Sequence, residues 1–246
     1  MSIESEADLQ GLQRAGRVVA VTLAETRRAV EPGVTTAELD AVALAVLERH
    51  GARSAPALVY GFPGAICISV NDEAVHGVPG ARRLVAGDAV TLDVTAELDG
   101  YMADAAVTVP VPPVAQEDAE LVAAAEAGLA AGLAVARAGS TTGAVGAAVE
   151  AEVERRGFRV LRELAGHGIG RAIHEPPSVP NFGVTGQGAR LTDGLVITIE
   201  PIISSRTRST RPGGDGWTVA TDDGRRSAHV EHTLIVRRGR PLILTA

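Results

Sequence analysis

The stretch Gly87–Val109 (GDAVTLDVTAELDGYMADAAVTV) constrains this chain more than any other. Apolar and β-branched residues dominate it, and Asp99-Gly100 interrupts it, which predicts two strands joined by a tight turn. Asp93 and Asp104 stand where such strands favour Val or Ile. A four-residue loop, Glu97–Gly100, sets Ala96 against Tyr101 and Asp93 directly against Asp104. Such partners lie about 5 Å apart at Cβ, and like charges there destabilise a sheet. A shared proton or a pair of divalent cations would offset the repulsion. Taken alone, the hairpin fits a solvated acidic face equally well.

The 246 residues suffice for one large domain or two small ones. A net charge of −7 argues against general nucleic-acid or membrane-surface binding. No apolar run approaches a membrane span and MSIESEADLQ is no signal peptide, so a cytoplasmic location is the expectation. Cys67 is the sole cysteine, which excludes an internal disulfide and a cysteine-built zinc site. All 23 basic residues are Arg, so no lysine nucleophile or Schiff base is available.

Helical spacing over Ala7–Val30 ends at Glu31-Pro32-Gly33. Thr35 caps a second helix, with Glu38 completing a capping box, and that helix runs to Arg49 before Gly51. Glu117–Arg137 is a third helix, and a fourth runs from Thr141 or Thr142 to Arg156 before Gly157. The second and fourth match at an offset of 106: Gly33 with Gly139, Thr35-Thr36 with Thr141-Thr142, Glu48-Arg49 with Glu154-Arg155, Gly51 with Gly157. This predicts a single domain, 1–246, of two halves (roughly 1–112 and 113–246) related by an approximate twofold, with the site where they meet. Ser204–Gly216 reads as a surface loop.

Other polar residues sit in apolar or Gly-rich surroundings. His167 lies within Gly166–Gly170, and His174 follows seven residues later. Leu195–Ile199 is a buried-strand run ending in Glu200-Pro201. Ala228–Val236 alternates, placing Glu231 on one face with His229 and Thr233. Each alone reads most simply as an ordinary core or surface residue. Together, Asp93, Asp104, Glu200 and Glu231 carry −4 beside the neutral imidazole of His167, which two divalent ions would balance. That is the balance of a dinuclear hydrolase with ions about 3.5–4 Å apart. The oxygen-rich set suits Mn, Fe, Co or Zn better than copper.

The ordered motifs CISVNDEAVHGVP (Cys67–Pro79), DVT and AD (Asp93–Thr95, Asp104), GHGIGRAIHEPP (Gly166–Pro177), ITIEP (Ile197–Pro201), DGWTV (Asp215–Val219) and EHT (Glu231–Thr233) resemble those of the type I methionine aminopeptidases over almost the whole chain. The resemblance implies the α+β pita-bread fold, a curved antiparallel sheet with outer helices and internal pseudo-twofold symmetry. It implies removal of the initiator methionine from nascent polypeptides by two divalent ions (Co, Mn, Fe or Zn). Asp93 would chelate one ion, His167 and Glu200 the other, and Asp104 and Glu231 would bridge them. Glu200 would be general base and acid, His174 would hold the scissile carbonyl oxygen, and His76 the scissile amide. Cys67, Phe62 and Trp217 would line or flank the methionine pocket, and Asn71 and Ser227 would hold a monovalent cation through their carbonyls. Leu58-Val59-Tyr60 departs from the family's usual placement of its aromatic residue.

A prolidase or aminopeptidase P is an alternative, though about 90 residues before Asp93 leave little room for the N-terminal domain those carry. A non-enzymatic relative is another, but such relatives lose ligands and here none is lost. A secondary paralogue of the same activity is a third. A monomer without membrane or specific nucleic-acid partners is expected, in transient contact with the ribosome where its substrate emerges.

Overall fold

Thr35 and Thr141 start equivalent helices because the chain meets the same backbone environment twice. The computed structural model describes residues 1–246. Its first half runs α1 (Glu6–Arg28), α2 (Thr36–Arg49), β1 (Arg53–Ser54), α3 (Ala55–Tyr60), β2 (Cys67–Val70), β3 (Glu73–Val75), β4 (Ala89–Leu98) and β5 (Tyr101–Pro110). The second runs α4 (Gln116–Val135), α5 (Thr142–Arg155), β6 (Arg159–Val160), β7 (Ala165–Gly168), β8 (Glu175–Pro180), β9 (Val196–Ile199), β10 (Ile202–Ser204), β11 (Thr210–Pro212), β12 (Val219–Thr221), β13 (Ser227–His229), β14 (His232–Ile235) and β15 (Leu242–Ile243).

The predicted repeat reaches the hydrogen bonds. Gly33 N–H donates to Leu84 O at 2.8 Å and Thr36 N–H to Arg82 O at 2.9 Å; Gly139 N–H donates to Leu191 O and Thr142 N–H to Ala189 O, both at 2.9 Å. Gly33 and Gly139 have φ of 96° and 93°, left-handed values that glycine adopts without strain. Both threonine hydroxyls cap their helices. Only Thr35 has the reciprocal bond from Glu38, since Ala144 fills the corresponding place after Thr141. Beyond the helices, β1 pairs with β4 (Arg53↔Glu97) as β6 pairs with β10 (Arg159↔Ser204).

Two hydrophobic clusters lie beneath the helices. One is built mainly from residues up to Val111, around Leu12, Leu39, Leu47, Ile68 and Leu92, with Ile169, Ile173, Val196, Ile235 and Leu244 joining it from the second half. The other, around Leu121, Val149, Val153, Ile197 and Leu234, lies after it. The halves are joined by strands: β3 pairs with β12 (Val75↔Val219), and Thr233 Oγ1 accepts from Asp104 N–H at 2.9 Å and donates to Asp104 O at 2.7 Å. No helix is long and apolar enough to cross a membrane.

Four expectations are corrected. The hairpin loop has two residues, not four. Asp99 (φ 53°) and Gly100 (φ 79°) are both left-handed, the geometry of a type I′ turn, and the strands close at Leu98↔Tyr101. Asp93 therefore faces Ala106, and Asp104 faces Thr95. The two acids are diagonal neighbours on one face rather than direct partners. Ala228–Val236 is not one strand; it breaks at Val230-Glu231 between β13 and β14. Opposite that break the partner strand is interrupted at Glu200-Pro201, where proline has no N–H for the ladder. Ile202↔His229 and His232↔Ile199 keep one register across the gap. Glu200 and Glu231 thus confront each other where the ladder opens, and Glu231 N–H donates instead to Ala106 O at 3.0 Å. Ser204–Gly216 is not loop throughout: β11 pairs with β12, and Arg208 bonds Glu150 and Glu154 on α5. The short helix α3 was not foreseen; Ser54 caps it and Gly61 (φ 71°) ends it.

Candidate metal centre

Asp93, Asp104, His167, Glu200 and Glu231 converge on one cavity of about 340 Å³ between the halves, together with His76, His174, Phe62, Cys67 and Trp217. Each side chain is delivered by a local device. Asp93 on β4 lies opposite Cys67 on β2. Asp104 on β5 is fixed at both backbone atoms by Thr233. The Thr198 hydroxyl accepts from His167 N–H at 3.1 Å and donates to Glu200 Oε1 at 2.9 Å, coupling two site residues through one side chain. Asn181 Nδ2 donates to the Glu200 carbonyl at 2.9 Å. Gly166 and Gly168 let β7 approach its neighbours, because a Cβ would strike the Thr198 carbonyl and the Pro176 carbonyl respectively.

Burial pushes the carboxyls of Asp93, Glu200 and Glu231 well above the usual carboxylate range, and the Asp104 charge pushes each further. Asp104 is itself raised by burial, against the hydrogen bond from Thr95. Burial also pushes up the Cys67 thiol, reinforced by Asp93 and Asp104, so Cys67 is a neutral wall residue rather than a nucleophile.

Such crowding of acids calls for cations. Apart from Thr26 Oγ1, every buried side-chain nitrogen or oxygen without a hydrogen-bond partner lies here: Asp104 Oδ1, Glu231 Oε1 and both ring nitrogens of His229. One ligand atom each from Asp104, His167 and Glu231, and likewise from Glu200, His229 and Glu231, lie within 4.8 Å of one another. His167 Nδ1 meets Gly168 O at 2.9 Å. A carbonyl only accepts, so Nδ1 carries the hydrogen and the lone pair sits on Nε2, 3.7 Å from Glu200 Oε1. The donor set fits divalent ions.

Around this floor the cavity is half apolar. Phe62 packs edge-on against Trp217 with centroids 5.3 Å apart. The His174 ring is tilted 54° to that of His167 with centroids 4.2 Å apart, and its Nδ1 lies 2.7 Å from the Tyr60 hydroxyl. Burial lowers the pKa of His76 and His174, so both rings are neutral near pH 7. Asn71 and Ser227 lie outside the cavity but meet each other: the Asn71 carbonyl accepts from Ser227 N–H at 2.9 Å and from its hydroxyl at 3.3 Å.

Sequence reasoning passed over two residues. Tyr60 was noted only as a departure, because its partner lies 114 positions away. His229 was placed on a strand face with Glu231 but given no role. The available signal was its spacing, two residues before Glu231 on that face.

A model of metallopeptidase family M24 matches residues 10–238. The chain belongs to this family. A methionine aminopeptidase of Clostridium perfringens is 39% identical over 98% of this chain and 96% of its own. The crystal structure of methionine aminopeptidase from Thermotoga maritima superposes with a TM-score of 0.97 at 35% identity, covering 100% of this chain and 99% of that one. A prolidase from Pyrococcus furiosus gives 0.80 at 19% identity, with this chain spanning 65% of it, a likeness of fold alone. The fold is therefore the pita-bread arrangement of M24 enzymes, and membership implies divalent-metal binding.

Proposed function

We propose that this chain removes the initiator methionine from new polypeptides whose second residue is small, using two divalent ions of the Co, Mn, Fe or Zn kind. The observation that carries the reading is three buried carboxylates and the half-buried Asp93, all with raised pKa, in the wall of a cavity that is otherwise largely apolar and aromatic. Asp93 would hold one ion, His167 and Glu200 the other, with Asp104 and Glu231 shared between them. Once bound, the ions would polarise the scissile carbonyl and acidify the attacking water.

The chain's own groups do the rest. Glu200 takes the water's proton and returns it to the leaving nitrogen. Thr198 already occupies its Oε1, which leaves Oε2 for the transfer. With the Tyr60 hydroxyl donating to His174 Nδ1, 2.7 Å away, the neutral ring would carry its hydrogen on Nε2 and donate to the carbonyl oxygen as charge builds there. His76 holds the scissile amide. It projects from a left-handed residue (φ 58°) just after β3, the strand that bridges the halves. Phe62, Cys67 and Trp217 receive the thioether, which gains from sulfur–aromatic contact. Glu163 lies at the rim of the same cavity. Asn71 and Ser227 mark a monovalent-cation position at the seam. The protein acts as a monomer in transient contact with the ribosome.

Two tripeptide panels test the reading. In Xaa-Ala-Ser, Met and norleucine should be released at similar rates and Leu slowly, since one methylene is worth about 1–3 kcal/mol in an apolar pocket and branching changes shape. In Met-Xaa-Ser, Ala, Gly and Ser should pass while Leu, Lys and Glu fail, because the carboxylates and His76 crowd the residue after the scissile bond. Rapid cleavage of Met-Leu-Ser, or cleavage of Xaa-Pro peptides in preference to Met-Ala-Ser, would end the proposal.

A further inference from the structure

His229 closes β13 and is 1% exposed, yet neither ring nitrogen has a hydrogen-bond partner. Its backbone is locked: Thr108 Oγ1 accepts from His229 N–H and donates to its carbonyl, each at 2.9 Å. The ring therefore cannot drift in search of partners. Nε2 faces two carboxylates, Glu231 Oε2 at 3.5 Å and Glu200 Oε2 at 3.8 Å. These separations are too long for good hydrogen bonds. A buried imidazole with an unmet donor and an unmet acceptor is costly, because water has been lost from both nitrogens and nothing replaces it.

We infer that His229 is a further ligand of the metal centre, giving its Nε2 lone pair to the ion held by Glu200 and Glu231. The inference rests on the metal site of the functional reading above. Two atoms each about 2.1 Å from one ion stand about 3–3.6 Å apart, according to the angle between them. His229 Nε2 stands 3.5 Å from Glu231 Oε2, inside that range, and 3.8 Å from Glu200 Oε2, just beyond it, as His167 Nε2, expected to share an ion with Glu200, is just beyond it at 3.7 Å from Glu200 Oε1. The two imidazoles thus flank Glu200 at nearly equal distance. Nδ1 of His229 keeps its hydrogen and meets no acceptor, so the backbone and packing orient the ring, where an outer carbonyl does this for His167. The chemical consequence is a donor set with two nitrogens rather than one. That shifts preference toward Co, Zn and Fe and away from Mn.

X-ray absorption on the wild-type chain loaded with two cobalt ions counts the imidazoles directly. Two rings shared by two ions give an average of one per cobalt, whereas His167 alone gives one half. Isothermal titration of Co and Mn into wild type and His229→Gln supplies the second measurement, with circular dichroism as the check on folding. The glutamine variant should halve the imidazole count, shift the visible cobalt bands and weaken cobalt binding at least tenfold, with a smaller loss for manganese. One half imidazole per cobalt in the wild type overturns the inference. So does a glutamine variant with unchanged cobalt affinity and spectrum, since a glutamine amide replaces a hydrogen-bond donor but not a nitrogen ligand. Wild-type protein with one imidazole per cobalt that releases no methionine would support the inference while ending the functional reading. Wild-type protein that binds no cobalt would end both.

Discussion

Asp104 and Glu231 are buried; Asp104 raises the pKa of its neighbouring carboxyls, and Glu231, raised by burial, is raised further by Asp104, Glu200 and Asp93. Asp104→Asn or Glu231→Gln should abolish methionine release and lower bound metal, measured by elemental analysis. The metal-free variants should melt higher than metal-free wild type, because a repelling charge is gone; a gain of about 1 kcal/mol raises Tm by about 2–4 °C in a chain of this size. Full metal content with near-normal turnover would refute the bridging role. His174→Ala should cut kcat by roughly 10²–10³ with metal retained, the scale of a lost oxyanion donor. Tyr60→Phe should cost about fivefold in kcat, the worth of one hydrogen bond of about 1 kcal/mol, with KM nearly unchanged. An equal loss in KM would assign Tyr60 to substrate binding instead. At this scale the four acids and His167 that converge on the cavity were legible because they interrupt apolar runs and fall in ordered motifs. Tyr60 and His229 were not, because what distinguishes them is a partner far along the chain or the absence of one.

The repeated helices use different chemistry at equivalent places. Asp40 on α2 corresponds at the 106-residue offset to Gly146 on α5. Asp40 Oδ1 accepts from the amides of Ala65 at 2.8 Å and Ile66 at 3.0 Å, holding the segment that leads into Cys67. At Gly146 the backbone itself is approached, since a Cβ would land on the carbonyls of Phe182 and Pro180. Asp40→Ala leaves two amides without a partner and should cost about 1–3 kcal/mol in urea unfolding. It should also raise KM, by loosening the pocket wall. Gly146→Ala should cost about 1–3 kcal/mol through overpacking, with less effect on KM. Reversal of that KM order would break the link from Asp40 to the pocket. Helix limits were readable from caps and glycines to within two residues. The hairpin register was not: Asp99-Gly100 carried the signal for a two-residue turn, but Glu97, charged at the end of the strand, masked where the strands close.

Metal removal and pH bear on the molecule as a unit. The four site carboxyls have folded pKa values above their unfolded ones, so the metal-free fold binds extra protons and loses stability as pH rises from about 4 through the raised values. Histidines act in the opposite sense: His76, His167, His174, His229 (down to about 3) and His232 are lowered, so their contribution is lost as pH falls below about 6.5. Above the histidine range the raised carboxyls act, joined at alkaline pH by the raised Cys67 thiol, which works in the same sense. Melting in EDTA should therefore fall as pH rises above the histidine range and through the raised carboxyl values, while saturating cobalt should raise Tm and flatten that slope. A level EDTA profile would mean that the acids are not repelling one another. The bonds between Asp104 and Thr233, and between Ala106 and Glu231, reach across more than a hundred residues. During synthesis, then, Asp93 and Asp104 are made long before the groups that complete their surroundings. An enzyme that trims chains as they emerge acquires its own chemistry only when Glu231 and Thr233 have left the ribosome, and slow long-range pairing rather than local helix formation sets the moment at which it begins to work.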